Sequence, residues 1–142
     1  MRCLGLTLAI ALGACNNIAA MREYDARVEE ANTAYPQNYK AEILAFVRTY
    51  LNDPTQIRDA LISDPVIKPA DGANRYVVCL RYNAKKTGGQ YAGSKDNIVI
   101  FRQGRLNRMI DGARDPREGR EVREQCKDVP LKPFAELEHL SR

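Results

Sequence analysis

Three hydrophobic patterns follow one another along this chain. Leu4 to Ala14 is an unbroken uncharged run with a single hydroxyl. Ile18, Met21, Tyr24 and Val28 then recur at helix-like intervals inside a polar stretch, Asn16 to Thr33. That pattern predicts a tether, in part helical, with Arg22, Glu23, Arg27, Glu29 and Glu30 on a solvated face. Tyr35-Pro36-Gln37-Asn38 breaks the pattern, and Asn38 is suited to cap a helix starting at Tyr39. Ile43, Phe46, Val47, Tyr50 and Leu51, with Leu44 beside them, then form the clearest helical stripe. Asn52-Asp53-Pro54 stops that helix, and a short helical turn is predicted at Thr55 to Arg58.

Beyond it the period changes to two. Ala60 to Ser63 and Val66-Ile67 read as one interrupted strand, placed at a sheet edge by Pro65 and Pro69. Asp71-Gly72 signals a turn. Arg75 to Asn83 is the best strand: Tyr76, Val78, Leu80 and Tyr82 face one way, and Val77, Cys79, Arg81 and Asn83 the other. The first set is the natural partner of the helical stripe. Asn97 to Arg102 and Arg105 to Ile110 are two more strands, joined at Gln103-Gly104. Between the first two lies a long connection, Ala84 to Asp96, with three lysines, three glycines and one tyrosine. From Asp111 to Lys127, five acids balance five bases, the mark of an exposed loop or helix. Pro130, Pro133 and the closing residues predict an extended tail with one last helical turn. The expected class is α+β: an amphipathic helix packed on a small antiparallel sheet of about three to four strands.

The leading run changes the picture most. One basic residue, Arg2, precedes eleven uncharged residues, Leu4 to Ala14, the layout of a secretory signal. As a helix this run rises about 16 Å, well short of a roughly 30 Å hydrocarbon core. Its end, Leu12-Gly13-Ala14-Cys15, resembles the bacterial lipobox: a branched apolar residue, two small ones, and the cysteine that receives a diacylglyceryl group. The resemblance implies a signal peptide over 1–14 and lipidation of Cys15; the polar stretch after it then reads as a lipid-anchored tether over 15–34, and the remainder as one α+β domain over 35–142 with an extended C-terminal segment. Two or three acyl chains, at about 0.8 kcal/mol per buried methylene, hold a protein on a membrane. In lipoproteins of this kind aspartate after the cysteine signals inner-membrane retention. Asn16 stands there, which favours the outer membrane, periplasmic side, with the inner membrane as the alternative.

Losing Arg2 leaves 21 basic residues against 18 acidic ones, too even a balance for a nucleic-acid partner. Once Cys3 departs with the leader and Cys15 carries lipid, Cys79 and Cys126 remain, and an oxidising compartment predicts a disulfide between them. Its cysteine lies on the strand face away from the stripe, so it would fasten the C-terminal segment across the sheet's back. A metal site is not expected, because His139 is the only histidine and no cysteine has a neighbour at ligand spacing. No cofactor signature occurs: Gly88, Gly89 and Gly93 are not followed by a phosphate-loop lysine.

No catalytic constellation is expected either. Oxidation consumes the thiols, Ser63, Ser94 and Ser141 stand in no nucleophile-elbow context, and Asp71 and Asp96 border turns. The surface candidates are Lys85, Lys86, Tyr91 and Lys95 in the long connection, with Arg102, Arg105 and Arg108 beyond it. Basic groups around a tyrosine suit an acidic partner: an envelope protein, a lipid headgroup or a cell-wall polymer; ordinary solvation accounts for the same charges.

The order of helix and antiparallel strands behind a lipid anchor is similar to small α+β envelope lipoproteins, such as accessory lipoproteins of the outer-membrane barrel-assembly machinery. That likeness is architectural and transfers no residue. The combination of Tyr35 to Lys40 with Arg75 to Lys86 resembles small alphaproteobacterial envelope lipoproteins with no assigned activity. Three roles follow as expectations. The first is a non-enzymatic interaction module at the membrane. The second is an anchored binder or inhibitor of a cell-wall enzyme, of the lysozyme-inhibitor type, which would call for a closed β-barrel. The third is a small hydrolase or cell-wall enzyme, which would call for a pocket of converging polar side chains.

Overall fold

The computed structural model describes residues 13–141, with side chains from 17 onward. Most of the expected leader and the Cys15 side chain, the expected lipidation point, lie outside the described residues. The chain runs α1 (Gly13–Asn32), α2 (Tyr39–Tyr50), β1 (Arg58–Ile62), β2 (Val66–Ala70), β3 (Ala73–Asn83), β4 (Lys95–Arg102) and β5 (Arg105–Asp111). It ends with α3 (Pro116–Cys126), β6 (Lys132–Pro133) and α4 (Ala135–Glu138).

All strand pairs are antiparallel, in the order β5-β4-β3-β1-β6, with β2 beside β1 on the same edge of β3. The class is α+β, but the sheet has six strands where three to four were expected. Two causes account for the difference. The interrupted strand is two strands, because Ser63-Asp64-Pro65 breaks it: β1 pairs with the second half of β3 and β2 with the first. The sixth, β6, is only two residues long and carries no readable pattern. Asp71-Gly72 and Gln103-Gly104 have positive φ at both residues, as the tight turns β2–β3 and β4–β5 demand.

The alternation along β3 decides what lies on each face. Val78, Leu80 and Tyr82, joined by Val99 and Phe101 of β4, meet Ile43 and Val47 of α2 in one core. Val77 and Cys79, with Ile98, Ile100 and Ile110, meet Val122 of α3 in another. Helix α3 is the part of the balanced charge run that becomes regular. Asp115 caps it by accepting from the backbone N–H groups of Arg117 and Glu118 at 2.8 and 2.9 Å, and Pro116 follows at its first position. Gly119 lets it sit close, since a β-carbon there would lie 2.7 Å from the Gly112 carbonyl oxygen. The Cys79–Cys126 disulfide, with Cα atoms 5.8 Å apart, ties the end of α3 to the middle of β3.

The C-terminal segment is not the extended tail that its prolines predict. After Cys126 it rounds the β1 edge and returns to the α2 side, where Phe134, Leu137 and Leu140 are buried in the first core. The Phe134 N–H donates to the Ala60 carbonyl at 2.8 Å, and the Ala60 N–H to Glu138 Oε1 at 2.9 Å. Asp64 accepts from Tyr39 at 3.0 Å and pairs with Lys132, joining α2, the β1–β2 corner and β6.

Three smaller expectations also change. Asn38 stands before α2, but its side chain makes no capping bond. Thr55 to Arg58 is not helical; Asp53 Oδ1 accepts from the Thr55 N–H at 3.0 Å, and Gln56 has φ of 55°. The tether is a regular helix, α1, whose residues 17–30 are all exposed. Among the described residues its C-terminal end meets the body: Asn74 donates to Glu29, and the buried Arg75 to Asn32.

Because Phe134, Leu137 and Leu140 have their own core contacts, the disulfide is not the tail's only fastening. Closing a loop of this length contributes about 4 kcal/mol in the chain-entropy model. In Cys126→Ser, limited proteolysis is expected to cut first in α3 and the residues linking it to β6, while 132–140 stay protected. Equal loss of protection across α2, β3 and α3 would contradict that order.

Candidate functional site

The long connection folds back on itself as an extension of the β3–β4 hairpin. Lys85 and Tyr91 form an antiparallel bridge, the Lys86 N–H donates to the Gln90 carbonyl at 2.8 Å, and the Ala92 N–H to the Ala84 carbonyl at 3.1 Å. Tyr91 anchors this loop to the body. Its hydroxyl donates to the Gln56 carbonyl at 2.8 Å, and the Arg58 guanidinium lies 4.1 Å from its ring centroid. Lys85 bonds to Gln56 and lies 5.8 Å from the same centroid. Tyr91, read in the sequence as an exposed contact residue, is half-buried and spends its hydroxyl and ring on the protein itself.

Docking the loop there encloses a cleft of about 270 Å³ between it and the C-terminal end of α2. Its wall includes Tyr50, Tyr82, Lys85, Lys86, Lys95 and Asp111, and no serine, cysteine or histidine. At the loop tip, the Asn52 amide donates to Thr87 Oγ1 at 3.3 Å. Tyr50, placed on the apolar stripe by its spacing, is 47 % exposed, because the sheet does not reach it. Its ring stacks on Phe46 at 5.5 Å. Tyr82 is buried, and that burial, reinforced by Tyr50 and Asp111, pushes its hydroxyl well above the ordinary tyrosine value. Burial also raises Tyr50, with Asp111 adding to it.

The structure therefore brings together Lys85, Lys86, Tyr91 and Lys95, but not the arginines. Arg102 and Arg105 flank the β4–β5 turn at the other end of β4 from Lys95, about 23 Å away along the strand. Arg105 pairs with Glu42 at 2.8 Å, Arg108 pairs with Asp71, and Arg102 is exposed. Asp96 belongs to the β3–β4 ladder, bonded to Arg81 at 2.6 and 3.2 Å. Tyr50 and Tyr82 are the site residues that periodicity assigned to the core. Their signal was present as position: both stand where their element ends. Among the described residues no three histidine, cysteine, aspartate or glutamate side chains gather to hold a metal.

Comparison with protein-family models, curated proteins and solved structures yields no match for this chain. The chemistry of the cleft accordingly rests on its own groups: three ammonium groups and two phenols against one carboxylate. Such a wall donates hydrogen bonds and carries net positive charge, so it accommodates an anion.

The raised Tyr82 value has a sign that can be checked. The folded state keeps a proton that the unfolded chain surrenders near pH 10, so this group's contribution is complete below about pH 10 and declines above it. Urea unfolding at increasing pH should show a shallower alkaline loss for Tyr82→Phe than for the wild type. An unchanged slope would place the hydroxyl in an ordinary, solvated setting.

Proposed function

We propose that this chain is a non-enzymatic lipoprotein of the bacterial cell envelope. It is anchored through acyl chains on Cys15 and presents its α+β domain as an interaction module at the periplasmic face of the outer membrane. The observation that carries this reading is the Cys79–Cys126 disulfide, since such bonds persist in oxidising compartments. The apolar run ending in Leu12-Gly13-Ala14-Cys15 supplies the export signal and the acylated cysteine. Helix α1 supports the reading as well: its exposed stretch, 17–30, is a stalk of about 21 Å between anchor and domain. Among the described residues no helix is long and apolar enough to cross a membrane.

The open sheet favours a module of this kind over the closed barrel that an inhibitor of the lysozyme type would use. In the described residues, β2 and β5 each pair with a single neighbouring strand. The contact surface is the cleft and its loop, with Lys85, Lys86 and Lys95 meeting an acidic envelope partner. Tyr91 serves it indirectly, by holding the loop in place.

Cells fed labelled palmitate should yield labelled protein in the outer-membrane fraction, and Cys15→Ser should abolish the label. Unlabelled protein purified from cytosol with its leader intact would overturn the reading. For the contact surface, Lys85→Glu, Lys86→Glu and Lys95→Glu together should reduce crosslinked species in intact cells at least about fivefold. That corresponds to about 1 kcal/mol of lost charge attraction. Unchanged crosslinks would remove this face as the contact.

A further inference from the structure

The informative member of the cleft is Tyr82. It is 5 % exposed and its ring belongs to the α2-side core, yet among the described residues its hydroxyl has no hydrogen-bond partner. Nor is that oxygen sealed inside, since it is absent from the fully buried unsatisfied atoms and the residue lines the cleft. Phenylalanine would fill the same core position without leaving a polar group unpaired. The phenol is thus a protonated donor held rigidly by a packed ring and turned toward the opening.

Its neighbours complete a recognisable set. Lys86 and Lys95 make no ion pair among the described residues, whereas Lys85 is held on Gln56 and Tyr91. Tyr50 offers an exposed ring fixed in orientation by its stacking on Phe46, with an interplanar angle of 21°. An oriented aromatic face takes the C–H side of a sugar ring, ammonium groups take a negative charge, and a phenolic O–H takes an oxygen beside it. At about 270 Å³ the cleft lies just below the common 300–1,000 Å³ range of small-molecule sites, which leaves room for one ring and its substituent.

We propose that this cleft binds a single sugar residue bearing a carboxylate or phosphate. Tyr82 and the ammonium groups of Lys86 and Lys95 are the donors, and Tyr50 is the stacking platform. The inference rests on the reading of this face as the contact surface and supplies the chemistry of its partner. An acidic peptide would satisfy the lysines but would leave the Tyr50 platform without a role.

Full-length protein in non-ionic detergent micelles can be titrated with N-acetylmuramic acid and glucose 6-phosphate, and separately with glucose, inorganic phosphate and tetraglutamate. Both charged sugars are expected to bind, at least tenfold more tightly than any of the other three. Tyr82→Phe should weaken them about fivefold, the size of one hydrogen bond, at unchanged Tm. Lys86→Gln with Lys95→Gln should weaken them further, and provides the readout if Tyr82→Phe does not fold. Lys68→Gln, on β2 away from the cleft, should leave binding unchanged. No binding of either charged sugar, equal binding of glucose, phosphate or tetraglutamate, or indifference to the cleft variants would overturn the proposal. Binding is measured on purified protein, so an acylated envelope protein that ignores charged sugars defeats this inference alone. A cytosolic, unacylated protein that binds them defeats only the envelope assignment.

Discussion

Burial of β3 on both faces is the constraint from which the rest of this architecture follows. A strand buried on one side needs a single cover; this one needs two, and the alternation of side chains specifies what each must provide. Val78 and Leu80 require an apolar stripe, which α2 supplies through Ile43 and Val47. Val77 and Cys79 require a second cover from a segment with little apolar content, and α3 offers only Val122 as a buried large side chain. A helix so rich in charge gains little from burial alone. Its cap at Asp115, the close seat at Gly119 and the covalent tie at Cys126 do the holding that apolar area does for α2.

The legible parts of the fold were those in which one residue type repeats at a fixed period. The stripe of α2, the two faces of β3 and the strands β4 and β5 have such a signature, while the β4–β5 turn was read from Gln103-Gly104 and the Cys79–Cys126 pairing from the count of cysteines left once Cys3 and Cys15 are accounted for. What escaped was held by contacts with no period. β6 is two residues whose strand character comes from lying beside Leu61 and Ile62. Phe134, Leu137 and Leu140 read as scattered apolar residues in a proline-punctuated tail, and nothing local states that the chain turns the β1 edge to bury them. Asp115-Pro116 was the readable clue to α3, a capping residue followed by a favoured first helical residue, but the balanced charges around it obscured the helix.

The candidate site was half legible for the same reason. Basic residues in a long loop mark a surface, so Lys85, Lys86 and Lys95 stood out. Whether they converge depends on how the loop is fastened, and that is the work of Tyr91 on Gln56 and Arg58, residues distant in sequence. Arg102 and Arg105 shared the charge but not the place, because the length of β4, eight residues of extended chain from Lys95 to Arg102, lies between them and the lysines. Charge alone does not distinguish a cluster from a row.

The cleft itself arises where the face rule outlasts its cover. Tyr82 continues the alternation begun at Val78, so its ring must point to the α2 side whether or not the helix is still there. Helix α2 ends at Tyr50, because Asn52-Asp53-Pro54 ends it. The ring is therefore packed at its base and uncovered at its tip, and the loop carrying the lysines folds over the gap without bonding to the hydroxyl. A longer helix would have closed the space with apolar surface, and a shorter β3 would have put no phenol there. An opening bordered by donors follows from two elements of unequal length sharing one core. For the ligand proposed above, Tyr50 and Tyr82, the two rings at the ends of those elements, would select the sugar, and the lysines its charge.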